Sequence, residues 1–179
     1  MSEVPAAEAP VWTAELAAVD AESTQALAAR LGAALRAGDL LVLSGELGAG
    51  KTTFTQGLGE GLGVRPGIIS PTFVLVRIHP SLAGGPDLVH VDAYRLATAA
   101  ELDDIDLEST LATSVTVVEW GRGKVEHLAE SRLEVSLERA VGADAGEELV
   151  FDFDDTGADE PRTVRIAAFG PRWAGTREF

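Results

Sequence analysis

The chain contains no cysteine and no asparagine, and only two lysines, Lys51 and Lys124. Without cysteine, disulfides, thiolate-bound zinc and thiol catalysis are excluded. Basic residues are scarce overall: 14 Lys plus Arg stand against 29 Asp plus Glu, a formal net charge of -15. Such a surface repels nucleic acid and anionic membranes wherever positive charge is not gathered locally. The three histidines, His79, His90 and His127, are too scattered in sequence to suggest a metal cluster. Apolar runs such as Leu40 to Leu43 fall far short of the ~20 residues that span a bilayer. Met1 to Pro10 has neither the cationic start nor the apolar core of a signal peptide. These absences predict a cytoplasmic protein with no membrane partner.

Hydrophobic residues make up 46% of the 179 and charged residues 24%, the balance of a globular protein. The length suits one domain, with residues 1–10 as a loose tail and 11–179 as the folded unit. The patterning predicts a strand near Trp12 to Val19 and a helix capped by Asp20 that runs to about Arg36. Its apolar face is Leu27, Leu31, Ala34 and Leu35, and Gly38 supplies the positive φ of its C-terminus. Leu40 to Ser44 has the unbroken apolar character of a strand buried on both faces of a parallel sheet. A glycine-rich turn and a second helix, Lys51 to Leu62, follow. Further strands are predicted at Phe73 to Ile78, Leu88 to Asp92 and Val115 to Glu119, with a polar helix over Ala97 to Leu111. Leu133 to Leu137, Leu149 to Phe153 and Thr163 to Ala168 read as antiparallel strands extending one sheet edge. Val141 to Glu160 holds eight acidic residues and no basic one, the composition of a solvated loop.

The strongest chemical signal is Gly45-Glu46-Leu47-Gly48-Ala49-Gly50-Lys51-Thr52, followed by Thr53, which matches G-x-x-x-x-G-K-[ST]. Glycines at both ends admit backbone angles that let successive N–H groups converge on phosphate. The helix that follows adds its N-terminal partial charge. Lys51 can then reach the β- and γ-phosphates, and the Thr52 hydroxyl can ligate Mg²⁺. An apolar strand before the loop and an amphipathic helix after it are the context this motif requires. Guanine-reading P-loop proteins usually carry Asn-Lys-x-Asp, which a chain without asparagine lacks, so ATP is favoured over GTP.

A P-loop also needs an acid at the end of a neighbouring strand, to hold Mg²⁺ or orient water. Asp92 closes one predicted strand and Glu119 another. Ligands of open α/β sheets bind off the carboxyl ends of the strands, so either acid can face the phosphates. Glu119, a carboxylate closing a buried apolar strand, is favoured for the attacking water. Thr72, in Ser70-Pro71-Thr72, is either part of an ordinary turn or a sensor of the γ-phosphate. Trp120 is a packing residue or a contact of the site. His90 alternates with apolar neighbours as a sheet-face histidine does.

The ordered set G-E-L-G-A-G-K-T-T-F (45–54), S-P-T-F (70–73), H-V-D-A-Y-R-L (90–96) and V-E-W (118–120) resembles the TsaE family, also called YjeE. These are small bacterial P-loop ATPases of tRNA threonylcarbamoyladenosine biosynthesis. The resemblance runs from about Thr13 to Leu137. It implies a P-loop NTPase-type α/β fold of three layers, with a mostly parallel sheet and antiparallel edge strands. It also implies weak ATP hydrolysis with Mg²⁺ and assembly with TsaB and TsaD, the pair that transfers threonylcarbamoyl to tRNA. The modified base is the adenosine beside the anticodon in tRNAs reading codons that begin with A. By position, Lys51 and Thr52 bind phosphate and metal, Asp92 and Glu119 are the acids near the metal, Thr72 is the sensor, and Trp120 follows the second acid. The chain departs from the family at Asp106, where a glycine is usual, and at Thr110, where an aromatic is usual. Partner contacts along that helix are therefore not carried over, and direct contact with tRNA stays open. Arg162, Arg165, Arg172 and Arg177 match no motif. The competing reading is a small-molecule or nucleoside kinase on the same scaffold, but His79 to Asp87 has no arginine with which to build a lid.

Overall fold

Hydrophobic patterning lays out the elements in order. The computed structural model describes residues 8–46, 48–71, 76–94, 96, 106–139 and 161–175. Strand β1 (Trp12–Ala18) leads to helix α1 (Ala21–Ala34). Asp20 caps α1, its Oδ1 accepting the Ser23 N–H at 2.7 Å, which satisfies one of the orphan donors of the first turn. The helix stops at Ala34. Gly38, at φ +95°, donates its N–H to the Ser114 carbonyl at 2.9 Å. It shapes the connection to the sheet, and is not the helix cap the sequence suggested. After it come β2 (Leu40–Gly45), α2 (Lys51–Leu62), β3 (Val76–His79), β4 (Asp87–Asp92), one helical turn at Glu108–Leu111, β5 (Ser114–Glu119), β6 (Arg132–Arg139) and β7 (Arg162–Phe169). The expected strand at Leu149 to Phe153, the start of the one at Phe73, most of the helix over Ala97 to Leu111 and the whole acidic stretch Val141 to Glu160 lie outside the described residues.

The strands form one sheet in the order β1-β7-β6-β2-β5-β4-β3. β2 runs parallel to both β5 and β6, and β4 runs parallel to β5. Antiparallel pairs flank this centre: β6 with β7 and β7 with β1 on one side, β4 with β3 on the other. The mostly parallel α/β sheet with antiparallel margins is thus present. The C-terminal third supplies β6 and β7, while the outermost strand beyond them is the N-terminal β1.

Leu40 to Leu43 are buried on both sides, as their unbroken apolar run demands. On one face α1 and α2 pack through Leu27, Leu31, Phe54 and Leu58 against Leu41, Leu43, Val115 and Val117. Phe54 and Leu58 are wholly buried, and burial of each such side chain contributes about 1.5–3 kcal/mol. Leu40, Val42, Val89, Val91 and Val118 fill the other face, under a thinner layer from Leu96, Leu107, Leu111 and Val125. The two helices nearly touch. A Cβ on Gly57 or Gly61 would collide with the backbone carbonyl of Gln25 or Ala29, so glycine in α2 exchanges helix propensity for a close seam.

Candidate nucleotide site

The loop between β2 and α2 is built from backbone. Gly48 at φ +78° and Gly50 at φ +98° hold left-handed conformations that side chains disfavour. Gly50 is also the N-cap of α2, and no side chain caps the first helical turn. That arrangement suits an anion better than it suits the protein alone. Leu47 lies outside the described residues, whereas Glu46 and Ala49 close the turn through the Ala49 N–H and the Glu46 carbonyl at 3.0 Å. Lys51 Nζ donates to the carbonyls of Gly45 at 2.5 Å and Glu46 at 3.3 Å. It also lies 4.6 Å from the centroid of the Trp120 ring. Burial pulls the Lys51 ammonium below the ordinary lysine range, and the charges of Glu119 and Asp92 oppose that pull. Thr52 and Thr53 occupy the first turn of α2, both half-buried.

The two acids are neighbours. Asp92 and Glu119 are register partners at the ends of parallel strands β4 and β5, and parallel pairing places both at the carboxyl edge from which the loop springs. Both are buried, Asp92 to 5% exposure and Glu119 to 3%. Asp92 Oδ1 accepts the Tyr94 N–H at 2.9 Å. Glu119 Oε1 has no hydrogen-bond partner, although His90 Nε2 lies 3.4 Å away. An orphaned carboxylate oxygen beside a lysine is costly in a closed core and useful at a site that receives a cation or a water. His90 is fully buried, as its strand alternation implied, but its position against Glu119 was not legible.

Trp120 has φ +60°. Its N–H reaches the Leu43 carbonyl at 3.3 Å, and its ring meets exposed Tyr94 edge-on at 5.2 Å. Thr72 and Arg95 lie outside the described residues.

Three cations at the carboxyl edge of the parallel strands carried no motif. Lys124 Nζ donates to the Ala93 carbonyl at 2.8 Å, tying the turn after β5 to the end of β4. Arg139 and Arg162 both donate to loop carbonyls. Of the other C-terminal arginines, Arg172 grips Asp39 through Nε and Nη2 at 3.1 and 3.2 Å. Arg165 pairs with Glu15 and Glu138 on the surface, and Arg177 lies outside the described residues. Register across the sheet sorts these arginines, and local sequence does not carry it.

A mostly parallel sheet whose central strand enters a helix through this glycine loop defines an α/β protein of the P-loop NTPase type. Residues 18–145 match the family model described as threonylcarbamoyl adenosine biosynthesis protein TsaE. The chain belongs to the TsaE family, and so among the proteins of tRNA threonylcarbamoyladenosine biosynthesis. It is 58% identical to the tRNA threonylcarbamoyladenosine biosynthesis protein TsaE of Streptomyces coelicolor over 149 residues, covering 83% of this chain and 92% of that one. The protein of the same description from Bacillus subtilis is 38% identical over 156 residues, covering 87% and 85%. Among solved structures, the crystal structure of Bacillus subtilis YdiB superposes with a TM-score of 0.65 at 29% identity, covering 90% of this chain and 89% of that chain. No helix among the described residues is long and apolar enough to cross a membrane.

Proposed function

We propose that the chain is the ATP-binding and ATP-hydrolysing subunit that supports threonylcarbamoylation of the adenosine beside the anticodon in tRNAs reading A-starting codons. It acts in the cytoplasm with TsaB and TsaD. The observation that carries this reading is the side-by-side placement of Asp92 and Glu119 beside Lys51 and the glycine loop. The donor set fits a triphosphate with Mg²⁺: an uncapped helix start, a lysine at the loop, a hydroxyl at Thr52 and an orphaned carboxylate oxygen. Thr52, with Asp92 and Glu119, would hold Mg²⁺, which neutralises phosphate charge when bound.

The remaining chemistry belongs to the protein. Loop N–H groups and Lys51 bind the phosphates, and an anion arriving there replaces the Gly45 and Glu46 carbonyls as the partner of Lys51. Glu119 orients the attacking water and accepts its proton, with its carboxylate held in a nearly dry pocket. Burial of both acids keeps other water from the reacting atoms. In this assembly the ATPase drives turnover of the TsaB–TsaD pair and does not itself transfer the threonylcarbamoyl group. The test is ATP hydrolysis measured alone and with cognate TsaB–TsaD. Lys51→Ala should weaken ATP binding by about 1.5–3 kcal/mol, the worth of a charge-assisted contact. Glu119→Gln should keep ATP binding while hydrolysis falls roughly 10²–10⁴-fold. Activity indifferent to the partners, or unchanged in both variants, refutes the reading; phosphate transfer to a small acceptor would point to a kinase.

A further inference from the structure

Arg139 on β6 and Arg162 on β7 are register partners at one end of an antiparallel pair. Both guanidinium groups turn toward the glycine loop. Arg162, 7% exposed, donates Nε to the Ala49 carbonyl at 3.0 Å and Nη2 to the Gly48 carbonyl at 3.4 Å. Arg139 donates Nε and Nη2 to that same Gly48 carbonyl at 3.3 and 3.0 Å. Two consecutive loop carbonyls therefore face two fixed cations. Every peptide bond described is trans, so a carbonyl held on one side holds the following N–H on the other. Fixing the Ala49 carbonyl thus aims the Gly50 N–H away from the arginines. Gly48 is constrained by its positive φ.

We infer that Arg139 and Arg162 clamp the glycine loop by its carbonyls, keeping it in a phosphate-receiving shape. They are positioning residues for the polyphosphate of a nucleoside di- or triphosphate, an inference that rests on the nucleotide reading above. Arginine suits the task because a planar fork serves two acceptors at once, which a lysine ammonium does not do in a fixed geometry. The clamp gives β6 and β7 a part in nucleotide binding that no motif in them announces.

The test compares Arg162→Gln, Arg162→Lys and Arg139→Gln with the wild type in two measurements. One is calorimetric binding of ATP, ADP and AMP; the other is amide hydrogen exchange of residues 48–51 in the absence of nucleotide. Loss of charge-assisted bonds should raise the ATP dissociation constant about tenfold for Arg162→Gln and about threefold for Arg139→Gln, with AMP affinity changed less than about twofold. Arg162→Lys should recover part of the loss. Loop amides should exchange several-fold faster while the interior of α2 and the melting temperature hold, a pattern that general destabilisation would not produce. ATP affinity and loop exchange both within about twofold of wild type in folded Arg162→Gln overturn the clamp, and so does a change in only one of them. Where Arg162→Gln does not fold, Arg139→Gln decides on the same two measurements. A wild type that binds no ATP defeats the nucleotide reading, and loop exchange then judges the clamp alone.

Discussion

Trp120 holds a backbone conformation that bulky side chains avoid, at a cost of order 1–3 kcal/mol. The turn that imposes it brings the indole over Lys51, so the strain is stored where it places a ring against that ammonium. His79 is a second residue under tension. It is buried, neither ring nitrogen has a hydrogen-bond partner, and burial together with His90, Arg65 and Arg77 holds its pKa below the ordinary value of 6.5. In the unfolded chain His79 takes its proton near 6.5, whereas the folded chain refuses it until lower pH. The unfolded state therefore binds more protons in that window, and stability falls as pH drops from 6.5 through the folded value. Melting temperatures recorded from neutral to mildly acidic pH should decline for the wild type and decline less for His79→Leu. Equal slopes would sink the assignment.

At the scale of elements, the seam between α1 and α2 limits what α2 can carry. Alanine at Gly57 or Gly61 improves helix propensity by about 1 kcal/mol. Its methyl group nevertheless meets the carbonyl of Gln25 or Ala29 in the facing helix, and overpacking of this kind costs about 1–3 kcal/mol. Both variants should therefore lower the urea midpoint, and a raised midpoint would show that the helices can part. Gly57 and Gly61 face α1, a partner that their own sequence neighbours do not name. The same division holds across the site. Gly45 to Thr52, Asp92 and Glu119 were legible because each role is local: a loop between strand and helix, an acid at the end of an apolar strand. Arg139, Arg162 and Lys124 were illegible because their acceptors lie 91, 113 and 31 residues away. Only sheet order brings such pairs together. The scattered histidines tell a similar story, since pairing of β3 with β4 sets His79 opposite Leu88, two residues from His90.

On the scale of the whole molecule, the charge of -15 acts as self-repulsion. Raising ionic strength from about 10 to 150 mM shortens the screening length from about 30 to 8 Å, so the melting temperature should rise; a fall would mean that surface pairs such as Arg165 with Glu15 outweigh the repulsion. By the same charge, the isolated chain should bind tRNA more weakly than about 100 µM near physiological salt, and tight binding in a filter assay would contradict this. Architecture adds a different constraint. Among the described residues β1 pairs only with β7, Trp12 opposite Ala168 and Ala18 opposite Arg162, and the Trp12 indole N–H bonds to the Trp173 carbonyl at 2.9 Å. β1 thus finds its partner only after β7, far along the chain, has been made. Its closure spans nearly the entire chain, the kind of non-local pairing that slows folding. During synthesis β1 must wait, while the loop-bearing centre of the sheet can assemble ahead of it.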